Sequence, residues 1–206
     1  MIKTFRSRGP ELLFARKSVA LFHPTELAQG VELMTRRKLA QLNAAEELRD
    51  LAAPSANCLG LITRQTCEHG VRISHYWQLC FEWRDHDAYN VDLVGGYPRI
   101  RLTVGKTECG LLPPIHPGEI LQQNFTRPRL ISAHELALAL GAPLAEIDAV
   151  IHGRERIATD VASGLGLFFG TTAKLWLNLQ RDYDLQAAES DKLAALDRDL
   201  HPPAPH

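Results

Sequence analysis

The sequence predicts two domains of different class: an α+β domain of helices and a small antiparallel sheet, then an all-α bundle containing a helix-turn-helix. Three observations carry this. Apolar residues alternate with period two across 77–94. Capped, glycine-stopped helical segments fill 116–188. Between them, Gly95-Gly96 opens a stretch of Gly, Pro and scattered charge. The expected boundaries are 1–97 for the first domain, 98–115 for the linker, 116–188 for the second domain and 189–206 for a flexible tail.

In the first half, His23-Pro24-Thr25-Glu26 places Pro at a first helical position. Leu27, Val31, Met34, Leu39 and Leu42 follow at near-helical spacing, with Arg36, Arg37 and Lys38 on the polar side. Pro54-Ser55-Ala56-Asn57 breaks that pattern. Trp77, Leu79, Phe81 and Trp83 share one face of a strand. Arg84-Asp85-His86-Asp87 is a polar turn. Ala88–Val94 returns with Tyr89, Val91 and Leu93 on one face, completing an antiparallel hairpin. Within the linker only Ile100–Val104 is β-like.

In the second half, Pro117 opens a helix over Gly118–Thr126. Ser132-Ala133-His134-Glu135 fits a capping box before Leu136, Leu138 and Leu140, and Gly141 closes that helix. Pro143 opens the next, with Ile147, Val150 and Ile151 apolar and Gly153 closing it. Thr159-Asp160 is the expected cap of a fourth helix ending at Gly170. Its interior Gly164 and Gly166 lower its propensity by roughly 1 kcal/mol each, which predicts local softness. Thr171 or Thr172 caps a fifth helix carrying Leu175, Trp176 and Leu179. The junction Gly141-Ala142-Pro143 gives the helix-turn-helix geometry.

Composition narrows the class. At 206 residues, 45% hydrophobic and 23% charged, the chain is ordinary globular material. No stretch is apolar enough to span a membrane. The first residues lack the apolar segment and cleavage site of a signal peptide, so the expected location is the cytoplasm. Cys58, Cys67, Cys80 and Cys109 have neither C-x-x-C spacing nor a paired His set, so free thiols are expected and no metal. Gly164-x-Gly166 lacks the strand context and third glycine of a nucleotide-binding turn, and no cofactor is expected. Residues 1–94 hold 12 basic and 11 acidic side chains and residues 95–206 hold 11 and 13. Neither half is basic enough for broad capture of nucleic acid by phosphate neutralisation.

Specific motifs add a family. His116-Pro117-Gly118-Glu119-Ile120-Leu121, the helix-turn-helix and Gly170-Thr171-Thr172 through Leu185 together resemble the HigA-type antitoxins, DNA-binding partners of small RelE-like toxins. That resemblance runs from about Leu112 to Ala188 and implies a lambda-repressor-like bundle. Met1–Gly9 and Trp77–Val94, with Phe81-Glu82-Trp83 and Asp87-Ala88-Tyr89 closest, resemble the matching HigB toxin over about 1–97, which implies a RelE-like α+β fold. The chain thus looks like a fused toxin–antitoxin.

The resemblance implies ribosome-dependent cleavage of mRNA by the first half, which needs a base for the 2′-hydroxyl, an acid for the leaving oxygen and cations at the phosphate. The candidates are Arg64, Arg72 and Tyr97. The pattern is eroded: Gln78 stands where the family has Arg, and Gly95-Gly96-Tyr97 where it ends Asp-Tyr-His. The second half implies operator binding and autorepression. Leu144, Ala145, Glu146 and Asp148 fall at base-facing positions of the second helix. His152, Arg154 and Arg156 are candidates for phosphate, and Ser132 lies at the start of the first helix. Leu144 can meet a thymine methyl, and the carboxylates can accept from cytosine. The expected partners are operator DNA, the ribosome with its mRNA, and the opposite half of this chain or of a second copy, with no membrane. The alternative reading is a DNA-binding repressor with a catalytically dead toxin domain used for dimerisation or regulation.

Overall fold

The computed structural model describes residues 1–17, 26–51, 69–74, 77–95 and 112–200, without the side chains of 26–29 and 194–200. The N-terminal part is α+β. Strands β1 (His69–Arg72), β2 (Trp77–Arg84) and β3 (Asp87–Gly95) form an antiparallel sheet in that order. The first residues run alongside β3, where the Lys3 amide donates to the Ala88 carbonyl at 2.8 Å and the Val91 amide to the Thr4 carbonyl at 3.0 Å. Asp85 and His86 both take positive φ (49° and 66°), the geometry whose twist matches a two-residue hairpin.

One strand face differs from the period-two reading. Asn90 has φ 52°, and the register slips between Cys80 and Glu82. This bulge puts two phases of alternation into β3. Ala88 is fully buried with Val91 and Leu93, while Tyr89, expected on the core face, pairs with Glu82 and is half-exposed.

Helix α1 (Arg8–Phe14), which the sequence reading lacked, buries Leu12 and Leu13 against α2 (Glu26–Ala44) and β3. The expected helix start at His23-Pro24-Thr25 lies outside the described residues. The polar side assigned to α2 is corrected: Arg36, Arg37 and Lys38 are all buried. The cause is tertiary. The helical half of the chain packs on this side of α2, so a face that reads as solvated is covered.

The C-terminal part is all helical. Helix α3 (Pro117–Ile120) continues through a π-helical turn, Leu121–Thr126, into a short 3-10 turn at Arg127–Arg129. Helix α4 (Ala133–Leu140) has the full capping box, with the Glu135 amide donating to Ser132 Oγ at 3.2 Å and the Ser132 amide to Glu135 Oε2 at 2.8 Å. Helix α5 (Leu144–Ile151) starts at Pro143, and α6 (Thr159–Phe169) ends at Gly170 with φ 72°. Thr159 and Asp160 do not cap α6; Ala158 occupies the cap position and has no side chain to do so. The glycines expected to soften α6 lie at close contacts: a Cβ on Gly164 would meet Leu140 Cδ2 at 2.8 Å, and one on Gly166 would meet the Ala173 amide at 3.0 Å. Helix α7 (Ala173–Leu200) is continuous where a frayed tail is expected from Glu189. Arg16 explains part of this, since its guanidinium donates to the Gln186 carbonyl (3.2 Å) and Ser190 Oγ (2.9 Å).

The two halves share one hydrophobic core. The seam between them is polar and specific. Asp50, fully buried, accepts from the Thr172 amide (2.6 Å) and Thr172 Oγ1 (2.9 Å) at the start of α7. Its second oxygen also accepts from the Glu46 and Glu47 amides of its own half (2.9 and 3.1 Å). Asn43 donates to Asp182 (2.8 Å), Asn178 to the Ala44 carbonyl (3.0 Å), and Arg37 to Glu119. In the middle, Gln41 Oε1 accepts from both Lys38 Nζ (3.3 Å) and Asn124 Nδ2 (3.2 Å).

Two stability predictions follow from this seam. Asp50→Ala leaves four donors without their acceptor, and lowers the free energy of unfolding by about 3 kcal/mol or more in chemical denaturation. Burial pushes the Lys38 ammonium down to about 7 from 10.5. The unfolded chain therefore binds more protons in that window, and stability rises with pH from about 7 toward 10.5. Lys38→Met removes that rise and raises the denaturation midpoint most at and below pH 7.

Candidate nucleic-acid interface

Helices α4 and α5 are joined by Gly141-Ala142-Pro143. Gly141 takes φ 64°, and the Ala142 amide turns back to the Ala137 carbonyl at 3.0 Å, closing α4. Leu136 and Ala137 on α4 face Ile147, Val150 and Ile151 on α5 in the core. That packing turns the first turn of α5 outward. Leu144 is 47% exposed, Ala145 is exposed and Glu146 is half-exposed.

The charges beyond this turn are already engaged. Asp148 receives Arg154 Nη2 at 2.5 Å and lies 3.2 Å from His152 Nδ1, which also contacts the Asp148 carbonyl at 2.8 Å. Arg156 pairs with Asp184 of α7 at 2.5 Å. The cations assigned to phosphate therefore each have an acceptor within the fold. Ser132 is exposed at the start of α4, and its hydroxyl is taken up by the capping box. The sequence reading missed Asp184 as the partner of Arg156; only the fold brings them together. The Asp148–His152 pair was legible, being four residues apart on one helix.

What fixes α5 in place is the His-Pro-Gly-Glu motif. A Cβ on Gly118 would lie 1.8 Å from the Val150 carbonyl oxygen, so α3 approaches the end of α5 as only glycine permits. His116 Nδ1 accepts from the Gly118 amide at 3.0 Å, capping α3, and its ring meets Tyr183 of α7 edge-on at 4.7 Å. Burial lowers the His116 pKa, against the opposing pull of Asp184 and Glu119, which suits a neutral ring that accepts at Nδ1. Glu119 of the same motif reaches the other half through Arg37.

Of the three residues assigned to catalysis, Arg64 and Tyr97 lie outside the described residues. Arg72 is exposed at the end of edge strand β1, in register with Gln78. Cys80 is buried, and the other three cysteines lie outside the described residues. Among the described residues no group of three His, Cys, Asp or Glu could hold a metal ion. No described helix is long and apolar enough to cross a membrane.

Two helices at a glycine-closed turn, the second with its N-terminal turn exposed, define a helix-turn-helix protein. No protein-family model matches the chain. Virulence-associated protein I of Dichelobacter nodosus is 42% identical over 91 residues, 44% of this chain and 82% of that protein. The HTH-type transcriptional regulator YbaQ of Escherichia coli K12, itself uncharacterized, is 33% identical over 78 residues, 38% of this chain and 69% of that protein. Pseudomonas aeruginosa antitoxin HigA, solved with the higBA promoter, is 35% identical, covering 43% of this chain and 97% of that one, with a TM-score of 0.39. Over about 45% of its length the chain belongs to the family of HigA antitoxins and related helix-turn-helix regulators.

Gly118→Ala tests the packing of α5. The added methyl meets a backbone carbonyl that cannot move without displacing α5, so the variant loses about 2–3 kcal/mol of stability in a thermal or chemical melt.

Proposed function

We propose that this chain is an operator-binding transcription regulator of the HigA class that carries its own toxin-like partner as its N-terminal half. The observation that carries this is the placement of the two working faces. The N-terminal half docks on α3 and α7 through α2 and Asp50, while the first turn of α5 stays exposed. DNA and the docked half therefore do not compete for one surface. The 35% identity to the Pseudomonas aeruginosa HigA that was solved with the higBA promoter supports a DNA-binding role here. In this role α5 lies in the major groove, with Leu144, Ala145 and Glu146 toward base edges and Arg154, Arg156 and His152 toward phosphates.

The N-terminal half fits a RelE-like ribosome-dependent mRNA endonuclease held silent by its neutraliser. A covalent tether keeps the two at an effective concentration of roughly millimolar. Gln78, at the position of a family Arg, favours a second reading in which this domain is catalytically dead and serves the repressor.

A gel shift of the full chain on the DNA upstream of its own coding sequence tests the regulator role; no shift at low salt sinks it. Asp148→Asn releases Arg154 and His152 and raises affinity about threefold or more, with a steeper salt dependence by about one phosphate contact. Growth decides between the two readings of the first half. Expression of residues 1–97 arrests growth if the nuclease is competent, and normal growth with folded, soluble fragment leaves the repressor with a dead domain.

A further inference from the structure

The first turn of α5 contains a carboxylate with nothing to do in the folded chain. Ser132 and Glu135 at the start of α4 form a reciprocal pair, the Glu135 carboxylate accepting from the Ser132 amide at 2.8 Å. Pro143 and Glu146 hold the same two positions at the start of α5. Proline has no amide hydrogen, so Glu146 cannot fold back onto its own helix start as Glu135 does. Asp148, four residues before His152, is engaged by His152 and Arg154. Among the described residues the Glu146 carboxylate has neither hydrogen bond nor ion pair; its backbone amide donates to the Pro143 carbonyl at 3.1 Å. It is the acceptor that α5 leaves unspent, beside the 47% exposed Leu144.

We propose that Glu146 is the specificity-determining residue of the interface, requiring a cytosine in the half-site and rejecting guanine. This rests on the reading of α5 as the helix that enters the major groove. An ionised carboxylate only accepts hydrogen bonds. In the major groove cytosine offers its N4 amino donor, whereas guanine offers the acceptors N7 and O6 and thymine the acceptor O4. Adenine offers one donor but sets the N7 acceptor beside it, so a two-oxygen carboxylate meets repulsion there. The discrimination is chiefly negative. A carboxylate brought among phosphates without a donor is desolvated and unpaired, so wrong sequences are rejected more strongly than the right one is held. Leu144 lies two residues before Glu146 and suits an adjoining thymine methyl.

The test is selection of a random 20-base-pair duplex library by the full chain at low salt, followed by sequencing, for the wild type, Glu146→Gln and Glu146→Ala. Circular dichroism melts confirm that the variants fold; Glu146 is not in the core. The wild type is expected to enrich one position for cytosine over guanine by about tenfold or more. Glu146→Gln is expected to move that position to adenine, since an amide pairs with N6 and N7 together, and Glu146→Ala to lose the preference while still retaining DNA. Identical selected motifs in all three proteins overturn the assignment and leave operator binding intact. No duplex retained by any of the three overturns both.

Discussion

The Asp50 carboxylate is the constraint on which the arrangement of this molecule depends. One buried anion satisfies two amides of its own half and the first backbone donor and side-chain hydroxyl of α7. A helix start inside a protein leaves unpaired amides that must find acceptors. Here an acceptor comes from the other half of the chain, so α7 is complete only when the halves are together. The positive end of the α7 dipole adds to the same preference. Thr172, also the α7 cap through the Leu175 amide, is thereby fixed in orientation.

Around that anchor the shared core is crossed by further hydrogen bonds between the halves. Buried Arg16 and Arg36 donate to backbone carbonyls at Leu112 and Pro113, and Arg37 reaches Glu119. Each such group is costly unless its partner is correctly placed. Polar seams of this kind set geometry more than they add stability, and Lys38 shows the cost plainly: an ammonium with a single neutral acceptor among the described residues, pushed toward deprotonation by burial. The Glu119 contact also touches the helix whose Gly118 seats α5, so the N-terminal half and α5 lean on the same four-residue motif.

Much of the helical half was legible because its signals are local. A capping box, glycine stops at positive φ and proline starts act within a few residues, and they place α4 and α5 closely. The hairpin was legible for the same reason. What escaped is set at long range. The buried side of α2 reads as polar because Arg36 and Arg37 reach Pro113 and Glu119, far along the chain, while Lys38 shares Gln41 with Asn124 of the helical half. The Asn90 bulge shifts the face of β3 with no residue pattern that announces it. The engagement of Arg154 and Arg156 by Asp148 and Asp184 is invisible in a count of basic residues, which registers charge but not its partners. The residues proposed to face DNA were expected from a resemblance, and the fold adds which of them are already engaged within the chain.

Helix α7 is held by the N-terminal half at its start and again near its middle. Asp50 grips its start, and Arg16 grips Gln186 and Ser190 about 25 Å further along its axis. A rod clamped at two distant points is a splint. Rotating one half about a single hinge cannot release it, because freeing one clamp leaves the other in register. Separating the halves breaks the grips at Asp50 and Arg16 together with the Asn178–Ala44 and Asn43–Asp182 contacts between them, so their association is a latch spread along half the length of α7.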